Sequence, residues 1–290
     1  MKRVILLGDG TKARVREKLA EVRPWLRDRV EVVLDDLEGQ ADLASVRADL
    51  VVLFGGDGSI LSAARRMGAS QIPVFGVNFG KMGFLTLYSS ADFQSEFAAV
   101  LAGRARVRPL MMLRARLFRG GEPVHDTLAL NDGVLSRVTL SRMIRVRVFA
   151  GSETVAATSG DGLIVSTPVG STAHSLSAGG PIVHPEMEAF VITPICPHTL
   201  SLRSLVLPPD VTIRCQLEGD VGEATFTLDG QVNYDLHIGD HVLFERAAAH
   251  FLLVDTGSRS YYEILRTKLH WGIEPPVGRD EEGARREPGF

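Results

Sequence analysis

The chain has 290 residues, 45% of them hydrophobic and 23% charged, which supports one large or two smaller packed cores and excludes a disordered chain. Its 32 basic and 35 acidic residues leave a formal net charge of -3, which argues against a nucleic-acid scaffold. The two cysteines, Cys196 and Cys215, do not make a disulfide framework and match no zinc spacing, so both read as small buried hydrophobes.

In chain order, the opening "MKRVILLGDG" carries an apolar run too short for a signal peptide, and "RVILLG" within it reads as a strand. No stretch approaches the ~18 apolar residues of a membrane span. A cytoplasmic protein without membrane or nucleic-acid partners is expected. "TKARVREKLAEVRPWL" has helical spacing at Val15, Leu19, Val22 and Leu26. "VEVVL", "ADLVVLF" and "IPVFGVN" read as further strands, with a helix over Ser59 to Met67. Strands alternating with helices predict an α/β domain over residues 1–108 with a mostly parallel sheet. From about Leu110, "MLRARLFRGG", "RVRVFAG", "LIVSTP", "VTIRCQL" and "ATFTLDGQ" read as short strands between turns. They predict a β-rich, antiparallel domain over 109–257. Helical spacing returns in "SYYEILRTKLHW", where Tyr262, Leu265 and Leu269 can share a face. That helix, about 258–273, is expected to pack back on the first domain, and the Pro/Gly-rich tail 274–290 to fray.

Ligands of parallel sheets bind at the C-terminal ends of strands. "GDGTKA", Gly8 to Ala13, fits a G-x-G-x-x-A pattern, with Asp35 and Asp36 after the next strand where a ribose-binding acid would sit. A polar turn with a helix cap is the favoured reading of that stretch. "GGDG", Gly55 to Gly58, is neither a dinucleotide fingerprint nor a P-loop. Glycines let backbone N–H groups approach phosphates, and a helix N-terminus favours anions. An Asp there would repel phosphate unless a metal intervenes or it takes a proton, both of which are tasks in phosphoryl transfer. A tight turn with Asp57 capping the helix remains open beside that reading. "DGLIVSTPVGSTAHSLSAGG", Asp161 to Gly180, offers hydroxyls and bare backbone to a polar ligand. Arg142, Arg145 and Arg147 suggest a basic strand face, either solvated or contacting a diphosphate. His184 and His198 lack ligand-like spacing and read as structural.

GGDG followed by a hydroxyl residue, then "NFGKMGFLT", "NDGVL", "DGLIVSTPVGSTAHSLSAGGPIV", "PICPHTLSLRSLVLP", "LDGQ" and "LRTKLHWG", occur in that order. Together they resemble the NAD kinase family over roughly Val4 to Gly272. GGDG is shared with lipid kinases and phosphofructokinases, and the STPxGSTAxSLSAGG block is the more specific part. The resemblance implies phosphorylation of the adenosine 2′-hydroxyl of NAD to make NADP, with ATP or polyphosphate as donor and a divalent metal, Mg²⁺. It implies Asp57 as the catalytic carboxylate with Gly58 beside the substrate. Gly55, Gly56, Gly58 and Ser59 would form the phosphate-donor loop. NAD contacts would come from Asn131, Asp132, Arg142, Asp161, Thr172, Ala173, His174, Ser175, Leu176, Ser177 and Gln231.

Ser59 replaces the family's commoner Thr, Asp132 its commoner Glu, and His174 its commoner Tyr. A homodimer or homotetramer is also implied. The alternatives are another GGDG-type small-molecule or lipid kinase, and a non-catalytic NAD/NADP sensor.

Overall fold

A computed structural model describes residues 1–80, 83–139, 142–199, 201–219 and 223–270. The tail 274–290 and the end of the helix expected over 258–273 lie outside the described residues. The first part of the chain runs β1 (Arg3–Gly8), α1 (Ala13–Arg27), β2 (Glu31–Asp36), β3 (Leu50–Phe54), α2 (Asp57–Met67), β4 (Val74–Asn78), β5 (Tyr88–Ser89) and α3 (Phe93–Leu101). There follow β6 (Arg106–Arg119), β7 (Glu122–Ala129), β8 (Asp132–Arg137), β9 (Ile144–Ala150), β10 (Glu153–Gly160), β11 (Gly162–Ser166) and the short α4 (His174–Ser177). The chain continues through β12 (Phe190–Ile195), β13 (Leu205–Leu207), β14 (Ile213–Glu218), β15 (Ala224–Leu228), β16 (Val232–Leu236), β17 (His241–Asp255) and α5 (Tyr261–Leu269).

The expected α/β and β-rich parts are both present. β2, β1, β3 and β4 form a parallel sheet in that order. β3 is buried at every position, as a central parallel strand covered on both faces must be. β14 instead alternates buried and half-buried residues, because only one of its faces meets a core. The second sheet, β13-β12-β11-β8-β15-β16, is antiparallel throughout. Its inner face, with Leu135, Val165 and Phe226, packs against Val148, Cys215 and Phe244 of the first sheet. Phe226 and Phe244 meet edge to face at 5.8 Å.

The first sheet does not stop at residue 108. β17 pairs in parallel with β4 at Leu253 and Val74, and antiparallel with β14 nearer its start. β6 pairs with β17 along both halves, so position 108/109 falls inside a continuous strand. The α/β and β-rich parts are thereby joined through shared backbone hydrogen bonds. In α5, Ile264 joins the core of the α/β part and Leu265 is buried, while Tyr262 is 60% exposed. Of the two cysteines, Cys215 is buried, and burial pushes its thiol pKa up. Cys196 is exposed, against expectation, because its left-handed backbone (φ 43) follows the last residue of β12 out of the sheet.

Candidate active site

The site is organised around the N-terminus of α2. β3 ends at Phe54, and the chain turns through Gly55 and Gly56 so that Asp57 opens the helix. The turn is tight: a β-carbon on Gly55 would lie 2.5 Å from Ser59 Oγ. The Asp57 carboxylate is gripped by a segment distant in sequence. Oδ2 accepts from Phe84 N at 2.8 Å, and Oδ1 accepts from Leu85 N at 3.2 Å, Thr86 N at 3.0 Å and Thr86 Oγ1 at 3.0 Å. Asn78, at the end of β4, donates from Nδ2 to Thr86 O at 3.1 Å and so steadies the grip. Behind it, Lys268 of α5 lies 5.7 Å from the centre of the Phe84 ring. Asp57 therefore does more than cap a helix, since it is positioned by four donors and remains only half-buried.

Two cavities bear on the site, neither lined by Asp57 itself: the first borders the α2 N-terminus, and the second is linked to it through the turn at Gly230 and Gln231. One, of about 400 Å³, opens at the C-terminal ends of β1 and β3 and is lined by Gly8, Asp9, Lys12, Gly56, Gly58, Ser59 and Arg66. Gly56 and Gly58 present bare backbone there. GDGTKA forms the polar turn favoured from sequence but not its helix cap: Asp9 Oδ1 accepts from Thr11 N at 3.1 Å and Thr11 Oγ1 at 2.6 Å, and the N-cap residue Lys12 makes no side-chain capping bond. Neither following acid is left for a ribose. Asp36 accepts from Arg66 and from the backbone N–H groups of Gly39, Gln40 and Ala41, while Asp35 pairs with Arg23 at 2.7 Å.

The second cavity, of about 340 Å³, is lined by Asn131, Asp132, Val134, Ser136, Ala173, His174, Thr227, Asp229 and Gly230. It thus gathers four of the residues expected to contact NAD. Asn131 is held from both sides. Thr167 N donates to its carbonyl at 2.8 Å, and a β-carbon on Gly170 would lie 2.1 Å from the same oxygen. Asp132 is 4% exposed, and burial with the neighbouring Asp229 carboxylate pushes its pKa up to about 7. Burial raises the Asp229 pKa as well, against the opposing effect of three backbone N–H groups and Arg65.

The remaining expected contacts are dispersed. The hydroxyl of Ser175 faces inward and is shared with Thr193 Oγ1 at 2.8 Å. Thr172 Oγ1 donates to Val169 O at 3.1 Å, and Thr172 borders a separate small hollow beside Phe84 and Ile264. Leu176 is half-buried and Ser177 exposed on α4. Asp161 is paired with Arg137 at 2.8 Å. Arg142 is exposed between β8 and β9, while Arg145 and Arg147 face Glu218 at 3.8 and 2.8 Å. Gln231 Nε2 donates to Gly58 O at 2.7 Å, and its Oε1 accepts from Arg65 at 2.9 Å. His184 lies edge-on to Tyr261 at 4.8 Å, a packing role. Gly83, Phe84 and Thr86 lie in NFGKMGFLT, one of the stretches that carry the family resemblance, but sequence reasoning gave them no individual role.

The family model for the ATP-NAD kinase N-terminal domain matches residues 9–105, and that for the C-terminal domain matches residues 130–256. The chain is 39% identical to an NAD kinase of Geobacter sulfurreducens, over 94% of this chain and 99% of that protein. It is 36% identical to an NAD kinase of Desulforamulus reducens, over 93% of this chain and 97% of that one. Among solved structures, yeast NADH kinase complexed with NADH superposes with a TM-score of 0.86 at 26% identity, covering 96% of this chain and 90% of that one. An NAD kinase from Archaeoglobus fulgidus in complex with ATP gives 0.72 at 27% identity, covering 92% and 98%. Family models that match both halves of the chain, and curated relatives aligned over nearly its whole length, place this protein in the NAD kinase family.

Proposed function

We infer that this chain transfers the terminal phosphoryl group of ATP to the 2′-hydroxyl of the adenosine ribose of NAD, making NADP. The observation that carries the reading is Asp57: one carboxylate, oriented by four donors, at a helix N-terminus whose Gly56 and Gly58 line one cavity, with the turn that borders the Asn131–His174 cavity bonded to Gly58 through Gln231. NAD occupies the cavity of Asn131, Asp132 and His174. The Asn131 amide suits an adenine edge, an acid at Asp132 suits a ribose hydroxyl, and the His174 ring can stack. Ala173 lines the same cavity, whereas Thr172, Ser175, Asp161 and Arg142 lie outside it. The donor phosphates lie against Gly56, Gly58 and Ser59, where the bare glycine backbone and the α2 dipole favour anions, while Gly55 shapes the turn from beneath with its N–H bonded to Val77 O. Polyphosphate could present the same anionic oxygens. The ATP complex of the Archaeoglobus fulgidus relative supports ATP.

The 2′-oxygen attacks the γ-phosphorus, the bond to the β,γ-bridging oxygen breaks, and ADP leaves. The hydroxyl proton passes to Asp57, which needs no covalent intermediate. Among the described residues no group of three His, Cys, Asp or Glu side chains could hold a metal ion. A Mg²⁺ would accordingly arrive with the donor phosphates and would supply charge neutralisation on the transferring group. Exposed Val155, Leu205 and Val206 on the sheet edges support assembly into a homodimer or homotetramer. The described helices include none long and apolar enough to cross a membrane, in keeping with a cytoplasmic setting.

The test is NADP formation from NAD, ATP and Mg²⁺ by wild type and by Asp57→Asn. Wild type should form NADP. The variant should lose about 10²–10⁴-fold in turnover, the usual worth of a positioned general base, and still bind NAD. NAD binding without NADP formation by wild type would overturn the reading. Near-native turnover by the variant would overturn the role of Asp57.

A further inference from the structure

The turn between β15 and β16 makes contacts that reach past the substrate cavity. Asp229 and Gly230 both have left-handed backbone, with φ 51 and 64, as a two-residue hairpin turn of this hand requires. Asp is among the few non-glycine residues that tolerate that conformation, and Asp-Gly is a favoured pair for such a turn. The side chain is fully buried and points at the loop before β8. Oδ1 accepts from Asn131 N at 2.7 Å and Asp132 N at 3.2 Å, and Oδ2 accepts from Leu130 N at 3.1 Å. These amides precede the two side chains that line the substrate cavity.

The other side of the turn reaches α2, the helix that begins with Asp57. Arg65, two turns along that helix, lies with Nη1 4.0 Å from Asp229 Oδ2 and donates from Nη2 to Gln231 Oε1. Gln231 in turn donates to Gly58 O in the first turn of α2. One guanidinium therefore bridges the two sides, by a hydrogen bond to Gln231 and by a 4.0 Å ion pair, without a hydrogen bond, to the carboxylate that holds the Leu130–Asp132 amides. The contact is well shielded: Arg65 has 19% of its side chain exposed and Asp229 none, so water screens their attraction little.

We propose that Asp229 and Arg65 are positioning residues that couple the Leu130–Asp132 loop to the Asp57 helix, with Gln231 as the second strand of the link. This inference rests on the reading of the site as a phosphotransferase acting on NAD. It assigns Gln231 to the protein's own framework in addition to any contact it makes with NAD. Asp229 sets the substrate loop, and Arg65 keeps that loop in register with Asp57. Loss of Arg65 should therefore affect turnover more than NAD binding, and loss of the Asp229 charge should affect both.

The experiment has two independent readouts. The first is amide hydrogen exchange of the full-length protein. Arg65→Met should speed exchange of the Leu130, Asn131 and Asp132 N–H groups at least tenfold, although Arg65 touches none of them. Unchanged exchange at these amides overturns the coupling, whatever the protein's activity. The second is kinetic, as ratios to a wild type first shown to form NADP. Arg65→Met should lower kcat at least tenfold with the KM for NAD within about threefold, and Arg65→Lys should recover part of the loss. Asp229→Asn should raise the KM for NAD at least tenfold and combine with Arg65→Met less than multiplicatively. If Asp229→Asn does not fold, Gln231→Met replaces it in the cycle and is read in kcat. Multiplicative losses, or a lower melting temperature with unchanged kcat and KM, overturn the proposal. Absence of NADP from wild type would instead refute the phosphotransferase reading and leave the exchange result to decide the coupling.

Discussion

Gly83 runs so close to Asp57 that a β-carbon on it would sit 1.8 Å from Oδ1 of the carboxylate. The glycine is there because the backbone that follows, from Phe84 to Thr86, has to turn its N–H groups onto that carboxylate. A bare backbone position thus sets the aim of the group proposed to take the proton.

Gly83→Ala should consequently disable the enzyme while leaving most of the fold intact. The added methyl must displace either the carboxylate or the Phe84–Thr86 turn. A misplacement of about 1 Å can cost on the order of 10²-fold in rate. A steady-state assay beside a melting curve checks this. Wild-type kcat in the folded variant would mean that the carboxylate's aim is unimportant.

Thr86 contributes a side-chain donor to Asp57 in addition to its backbone N–H. Thr86→Val keeps the shape and removes only the hydroxyl. A net hydrogen bond of about 0.5–1.5 kcal/mol corresponds to a loss of roughly two- to tenfold in kcat. Thr86→Ser should retain most of the activity. Equal effects of the two variants would show that packing, rather than the hydroxyl, matters at this position.

Asp132 should make stability and NAD binding depend on pH. Its folded pKa is raised to about 7 by burial and by Asp229, whereas in the unfolded chain it ionises near 4. The folded state therefore holds a proton that the unfolded state releases. Its contribution to stability declines as pH rises from about 4 to about 7 and is flat above that. Asp132→Asn should remove this slope in urea titrations across that range. NAD affinity should rise through the same interval in wild type, as the carboxylate becomes an acceptor for a ribose hydroxyl, and stay level in the variant. Parallel slopes in both proteins would exclude Asp132 as the titrating group.

Lys12 lines the cavity beside the GGDG turn and pairs with Asp9 at 3.0 Å on an exposed edge. If donor phosphates bind there, Lys12→Ala should raise the KM for ATP by about two- to fivefold, the scale of an exposed ion pair, and leave the KM for NAD unchanged. A rise confined to NAD would place the donor elsewhere.

Much of the architecture could be read in short stretches. The unbroken apolar run of β3 marks a covered parallel strand, and the alternation in β14 marks a half-covered one. The spacing of Val15, Leu19, Val22 and Leu26 marks the buried face of α1. Tyr262 shows the limit of such reading. It has helical spacing with Leu265, but α5 turns Ile264 inward instead and leaves Tyr262 in solvent. Ser175 shows the same limit within a recognised motif. A hydroxyl in a ligand-binding run is used to join α4 to β12 through Thr193.

The order of strands and helices, the α/β and β-rich parts, the GGDG turn and the block from Asp161 to Gly180 are legible in the chain alone, because each is written in neighbouring residues. How the carboxylates are used depends on the folded whole. Asp57 is held by donors 27 to 29 residues away, Asp229 by amides 97 to 99 residues away, and Gln231 reaches Gly58 across 173 positions. Residue type and spacing report the local backbone period. Hydrogen-bond partners at such separations are chosen by sheet order and packing, which bring those backbone groups together only once the whole chain has folded.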